Sequence, residues 1–183
     1  MDMSLPPPDP HPAAEVRAAV VPPRYTLDRK GGLHDFDFIA GRWRMQNWRL
    51  TKRGVGSHDW DRFTSTSRGW VLLGGVTNVD EVAFASKGWS GMTMRHFDID
   101  RQQWAIYWVN SRDGKLQSPV VGGFEGDVGL FYGEDLDEGR PIRVEYRWTR
   151  MGVDKARWQQ SFSYDGGATW EVNWVNTLDR EEG

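Results

Sequence analysis

The sequence predicts an all-β protein: an antiparallel up-and-down β-barrel of about ten strands, preceded by a short proline-rich N-terminal extension. Three observations carry that expectation. From residue 36 onward the chain runs in short stretches of alternating apolar and polar residues, broken by Gly, Asp and Asn at hairpin-like spacing. No stretch there has the length and 3.6-residue period of a crossover helix, so consecutive strands must pair antiparallel. The 183 residues include 11 Trp, 8 Phe and 5 Tyr, residue types that favour strands and bring large buried area. Ten sequential strands favour closure, because closure removes both exposed sheet edges.

The first element is an arm, residues 1–32. Seven of the nine prolines fall in it, in PPPDPHP and VPP. Proline removes a backbone donor, so this stretch cannot join a sheet and is expected to be flexible. Residues 13–21 (AAEVRAAVV) have the length for about two helical turns, which hold only when docked on a larger body. Residues 33–183 are expected to form one barrel domain, since the length leaves little room for a second core.

The ten strands are expected near 38–51, 59–68, 75–84, 89–98, 103–112, 118–124, 127–133, 141–150, 155–164 and 169–179. On the first, Trp43, Met45, Asn47 and Arg49 share a face. On the third, Val76, Asn78, Asp80, Val82 and Phe84 do. The fourth aligns Met92, Met94 and His96, with His96 expected to face outward. The fifth aligns Trp104, Ile106, Trp108, Asn110 and Arg112, and the eighth Ile142, Val144, Tyr146 and Trp148. The ninth carries Trp158, Gln160, Phe162 and Tyr164 on one face; the tenth carries Trp170, Val172, Trp174 and Asn176. These aromatic rows are expected to face the lumen, because outside they would make a large apolar patch. Between the last two strands, SYDGGATW (residues 163–170) has the pattern S-x-D-x-G-x-T-W. A single copy reads as a turn device, with Asp165 bonded to turn amides and Trp170 packed beneath.

Several functions are disfavoured by what the chain lacks. The net charge is −3, with 23 basic and 26 acidic residues well mixed; no basic stripe invites nucleic acid. There is no cysteine, hence no disulfide, thiolate metal site or Cys nucleophile, which fits a cytoplasmic setting. MDMSLPPPDPHP has neither the basic nor the apolar region of a secretory signal. No apolar run approaches the roughly 20 residues of a membrane span. His11, His34, His58 and His96 have no ligand spacing, so no metal site is expected. There is no nucleophile elbow and no phosphate loop, and no cofactor is called for. A homodimer is left open.

The informative feature is polar residues on the aromatic rows. Asn47, Arg49, Asn78, Asp80, Asn110 and Gln160 must be paired, hydrated or matched by a ligand if they face inward. With Met45, Trp108, Tyr146 and Trp174, and with Trp43 and Phe162 as further walls, they suggest a lumen for a small, mostly hydrophobic molecule, aromatic or bearing a carbonyl or carboxylate. The planar fork of Arg49 suits such an oxygen. A purely structural Arg49–Asp80 pair near the mouth is the competing expectation. A second functional reading is a cofactor-independent isomerase, cyclase or lyase acting in the same cavity. Asp80 or Glu81 would then be the base, and Arg49 or Tyr107 would stabilise an oxyanion.

DFDFIAGRWRMQNW carries a family resemblance. Gly41-x-Trp43 on the first strand, after a short closing turn, resembles the G-x-W signature of the calycin superfamily. The resemblance implies that Trp43 plugs the closed end of a barrel and that Arg180, in NTLDR, packs over it. LLGGVTNVDE, FDIDRQQWAIYW, VVGGFEG and GATWEVNW extend the likeness to bacterial lipocalin-like ten-stranded barrels over roughly residues 33–180. A haem-binding barrel of the nitrobindin type is related, but it carries G-x-G-x-G after the first Trp and a late proximal His. Here Trp43 is followed by RMQNW and the last histidine is His96, which counts against haem.

Overall fold

A computed structural model describes residues 24–181; the short helix expected at residues 13–21 lies outside them. The strands are β1 (Gly41–Leu50), β2 (Trp60–Leu72), β3 (Thr77–Phe84), β4 (Trp89–Asp98), β5 (Gln103–Asn110), β6 (Val120–Glu125), β7 (Val128–Asp137), β8 (Arg140–Arg150), β9 (Lys155–Ser163) and β10 (Glu171–Arg180). Each pairs antiparallel with the next, and β1 pairs with β10 to close the barrel. The architecture is consistent with a lipocalin-like fold. Helix is confined to three single 3₁₀ turns among the described residues.

Two strands run well past their expected ends. The inward row of β2 ends in Ser65, Ser67 and Gly69, so its alternation carries little hydrophobic contrast. The end of β7, GEDLD, has turn-like composition, yet it pairs from Glu134 to Asp137 with Arg143 to Arg140 of β8. Tertiary pairing overrides weak local preference in both places.

One end of the barrel is closed by residues 33–40. Phe36 is fully buried, with ring contacts to Phe124 (5.1 Å), Trp104 (5.2 Å), Phe131 (5.5 Å) and Trp148 (6.0 Å) between centroids. Trp43 is also fully buried and donates its Nε1–H to the Ile39 carbonyl at 3.1 Å. Arg180 faces Trp43 across the β1–β10 ladder and lies over its ring, the arrangement that the G-x-W resemblance implies.

The described part of the arm is fastened to the outside of β5–β8. Gly31 N–H donates to Gln102 O (2.9 Å), Trp104 Nε1–H to Gly32 O (2.9 Å) and Gln103 Nε2 to Leu27 O (2.6 Å). Residues 30 and 31 come so close to β6 that a Cβ at Gly123 would sit 2.2 Å from the Lys30 carbonyl oxygen. Arg24 donates to both oxygens of the buried Glu145, which also accepts the Tyr132 hydroxyl at 2.8 Å.

Candidate functional site

The other end of the barrel is open and leads to a cavity of about 300 Å³. Strand alternation positions its walls. One wall is a ladder of aromatic rings: Trp89 stacks on Phe84 at 4.0 Å, and Phe84 meets Trp174 at 5.9 Å. A guanidinium lies over each terminal ring, Arg112 above Trp89 (4.3 Å) and Arg49 above Trp174 (4.5 Å). Trp158 continues the wall, edge-on to Trp174 at 5.6 Å and to Tyr146 at 5.0 Å.

Deeper in the lumen stands a buried charge pair. Arg95, only 2% exposed, donates from Nη1 to Asp80 Oδ1 (2.5 Å) and to Asn78 Oδ1 (3.0 Å). Ser67 Oγ donates to the second Asp80 oxygen at 3.1 Å. The Arg95 guanidinium also lies over Phe36 (5.1 Å) and Trp148 (5.4 Å), above the plug. Buried ions of this kind need a partner and hydrogen bonds to offset desolvation, and the pair has both. Among the described residues, three buried atoms of cavity-lining residues have no hydrogen-bond partner: Arg95 Nε, Trp148 Nε1 and Asn176 Oδ1.

Of the residues expected at the site, Met45, Arg49, Asp80, Trp108, Asn110, Tyr146, Gln160 and Trp174 line this cavity, as does Phe162. Asn47 and Asn78 stand behind it. Asn47 donates to Ser65 Oγ (2.8 Å) and accepts the Trp174 Nε1–H (3.1 Å), while Asn78 serves Arg95. Trp43 is at the closed end rather than along the cavity wall. The Arg49–Asp80 pair does not form: β3 lies beside β4, so Asp80 and Asn78 meet Arg95, while Arg49 stays at the rim. Glu81 is exposed, and alternation places both it and Tyr107 on the outer face, away from the oxyanion and base roles considered for them. His96 is exposed, bonded to Thr77 Oγ1 at 3.1 Å.

Arg95 is the residue that pattern alone does not reveal. Its row, Gly91, Thr93, Arg95 and Phe97, faces inward, as the outward placement expected of His96 requires, but alternation alone does not show that an arginine on it is fully buried and paired. The signal that finds it is the partner strand, which sets Asn78 directly opposite Arg95.

Burial shapes the ionisation at the mouth. Desolvation, then the charges of Arg53 and Arg112, pull Arg49 down to about 10, against the opposing pull of Asp137 and Asp61; it remains a cation at neutral pH. Burial, with Asp135 second, pushes the Tyr146 phenol up, so it stays a neutral donor. It has no hydrogen-bond partner among the described residues. No group of three or more His, Asp or Glu side chains suited to a metal ion occurs among the described residues, and no helix there is long and apolar enough to cross a membrane. No protein-family model and no curated protein matches this chain.

Proposed function

We propose that the barrel binds a small, mostly hydrophobic molecule in its lumen, aromatic or bearing a carbonyl or carboxylate. The observation that carries this reading is the cavity itself. About 300 Å³ falls at the lower end of small-molecule sites, roughly 300–1,000 Å³, and its lining is aromatic with a few fixed polar groups. Met45, Trp108, Tyr146 and Trp174 would form walls. Arg49, Asp80, Asn110 and Gln160 would orient polar atoms, with Asn47 holding Trp174 and Asn78 holding Arg95 from behind. The closed ten-stranded architecture supports placing the chain among the calycins, and the absence of cysteine supports a cytoplasmic setting. The enzymatic reading has less support: of its two named bases, Asp80 is engaged by Arg95 and Ser67, and Glu81 is exposed outside the barrel.

The test is titration with N-phenyl-1-naphthylamine, a neutral apolar dye. Saturable one-to-one binding, with blue-shifted dye emission and quenched Trp emission, is expected. Val82→Phe, which adds bulk to the cavity wall, should weaken it. Native mass spectrometry followed by denaturing extraction identifies any molecule that co-purifies. No saturable dye binding and no co-purifying molecule would overturn the reading.

A further inference from the structure

We propose that Arg49 and Arg112 form an anion clamp at the barrel mouth, so that the ligand is an amphipathic organic acid held by its acid group at the rim with its apolar body in the lumen. The inference deepens the lumen-binding reading and rests on it.

The two arginines come from distant parts of the chain, Arg49 from β1 and Arg112 from just beyond β5. They are brought onto one structure, the ladder Arg112–Trp89–Phe84–Trp174–Arg49, whose successive separations are 4.3, 4.0, 5.9 and 4.5 Å. Both line the cavity. Stacking on an indole face fixes the plane of each guanidinium while leaving its N–H edge free to donate. Among the described residues, neither has an ion-pair partner.

The two carboxylates that act on Arg49 are already committed. Asp137 is held by Arg53 (2.6 Å) and by the Tyr164 hydroxyl (2.7 Å), and Asp61 by Lys87 (2.6 Å). Asp135 lines the other side of the mouth, near Tyr146, and disfavours an anion there. Like charges on Arg49 and Arg112 repel, and an anion between them relieves that repulsion. Planar guanidinium forks match carboxylate, sulfonate or phosphate oxygens.

Two dyes with one ring system test this. 8-Anilinonaphthalene-1-sulfonate and N-phenyl-1-naphthylamine differ by the sulfonate. The protein should bind the sulfonate dye more tightly, and added salt should erode that advantage. Arg49→Met and Arg112→Met should each reduce the preference for the sulfonate dye over the neutral dye by about tenfold or more, the scale of a charged hydrogen bond. Lysine at either position should retain part of the preference. If both dyes bind equally and neither substitution nor salt separates them, the clamp is wrong and lumen binding stands. If the neutral dye fails to bind and no molecule co-purifies, lumen binding falls and the clamp falls with it. The wild-type salt dependence decides between these outcomes even if a variant does not fold.

Discussion

Arg180 lies 4.2 Å over the ring of Trp43 and, from the same guanidinium, donates to the carbonyls of Ala40 (2.7 Å) and Phe38 (3.0 Å). One side chain of the last strand thus holds the first strand and the plug in front of it. Trp43→Ala should cost about 3–5 kcal/mol, the range for removing a large buried aromatic. Arg180→Ala should cost about 1.5–3 kcal/mol, the range for charged hydrogen bonds. Arg180→Lys should recover only part of that, because an ammonium cannot cover the ring and reach both carbonyls. Urea unfolding measures all three, and wild-type midpoints would contradict the latch.

The Asp80–Arg95 pair predicts a strong asymmetry. Asp80→Ala leaves an uncompensated guanidinium in the lumen and should cost about 3–5 kcal/mol. Arg95→Met alone strands the carboxylate and should also be costly. Combining Asp80→Leu with Arg95→Met removes both charges and should be far less destabilising than the two single losses summed. Additive losses in the double-mutant cycle would show that the two residues do not depend on each other.

Cavity size should be sensitive to Gly91. A Cβ built there would lie 2.2 Å from the ring of Trp108, a cavity-wall residue. Gly91→Ala therefore has to displace that indole, at about 1–3 kcal/mol for an overpacked site. The neutral dye should then bind more weakly, while Gly91→Ala combined with Trp108→Phe should regain stability. Unchanged dye affinity in Gly91→Ala would mean that the ring moves away from the lumen.

Asp165 supplies a pH signature. Hydrogen bonds from the Thr169 hydroxyl first and its backbone N–H second, with Ser163 also contributing, bring its carboxyl from 3.8 down to about 2. A lowered folded-state value means that its contribution to the hairpin is fully present above the unfolded value. That contribution fades as pH falls from about 4 through about 2. An NMR titration of the Asp165 carboxyl should give a midpoint near 2, and the protection of β9–β10 turn amides relative to their intrinsic exchange rates should fall across that window. Asp165→Asn should abolish that acid-dependent loss of protection. A midpoint near 4 would show that the turn bonds do not hold the carboxylate.

Much of the barrel is legible in the sequence because its code is local. Gly41-x-Trp43, the paired turn residues and the alternating aromatic rows each act within a few residues. The site is less legible, because its decisive contacts are between strands. Arg49 and Asp80 look like natural partners on their separate rows, yet Asp80 is taken by Arg95 from the adjacent strand. Asn47 belongs to an inward row, but Trp174 and Ser65 consume its amide before it reaches the cavity. Trp89 and Phe84, which complete the ladder, come from two strands whose patterns say nothing about how their rings will stack.

The seam between β1 and β10 also sets an order of events during synthesis. Every other ladder joins neighbouring strands, so hairpins can assemble as the chain leaves the ribosome. The pairing from Trp43↔Arg180 to Arg49↔Trp174 must wait until β10 has emerged. Until then β1 and β9 present unpaired backbone, a template for another chain. Joining the two ends also carries the largest loop-closure cost, which makes the seam a natural slow step in folding. A chain stalled before β10 would have most of its hairpins and no closed barrel.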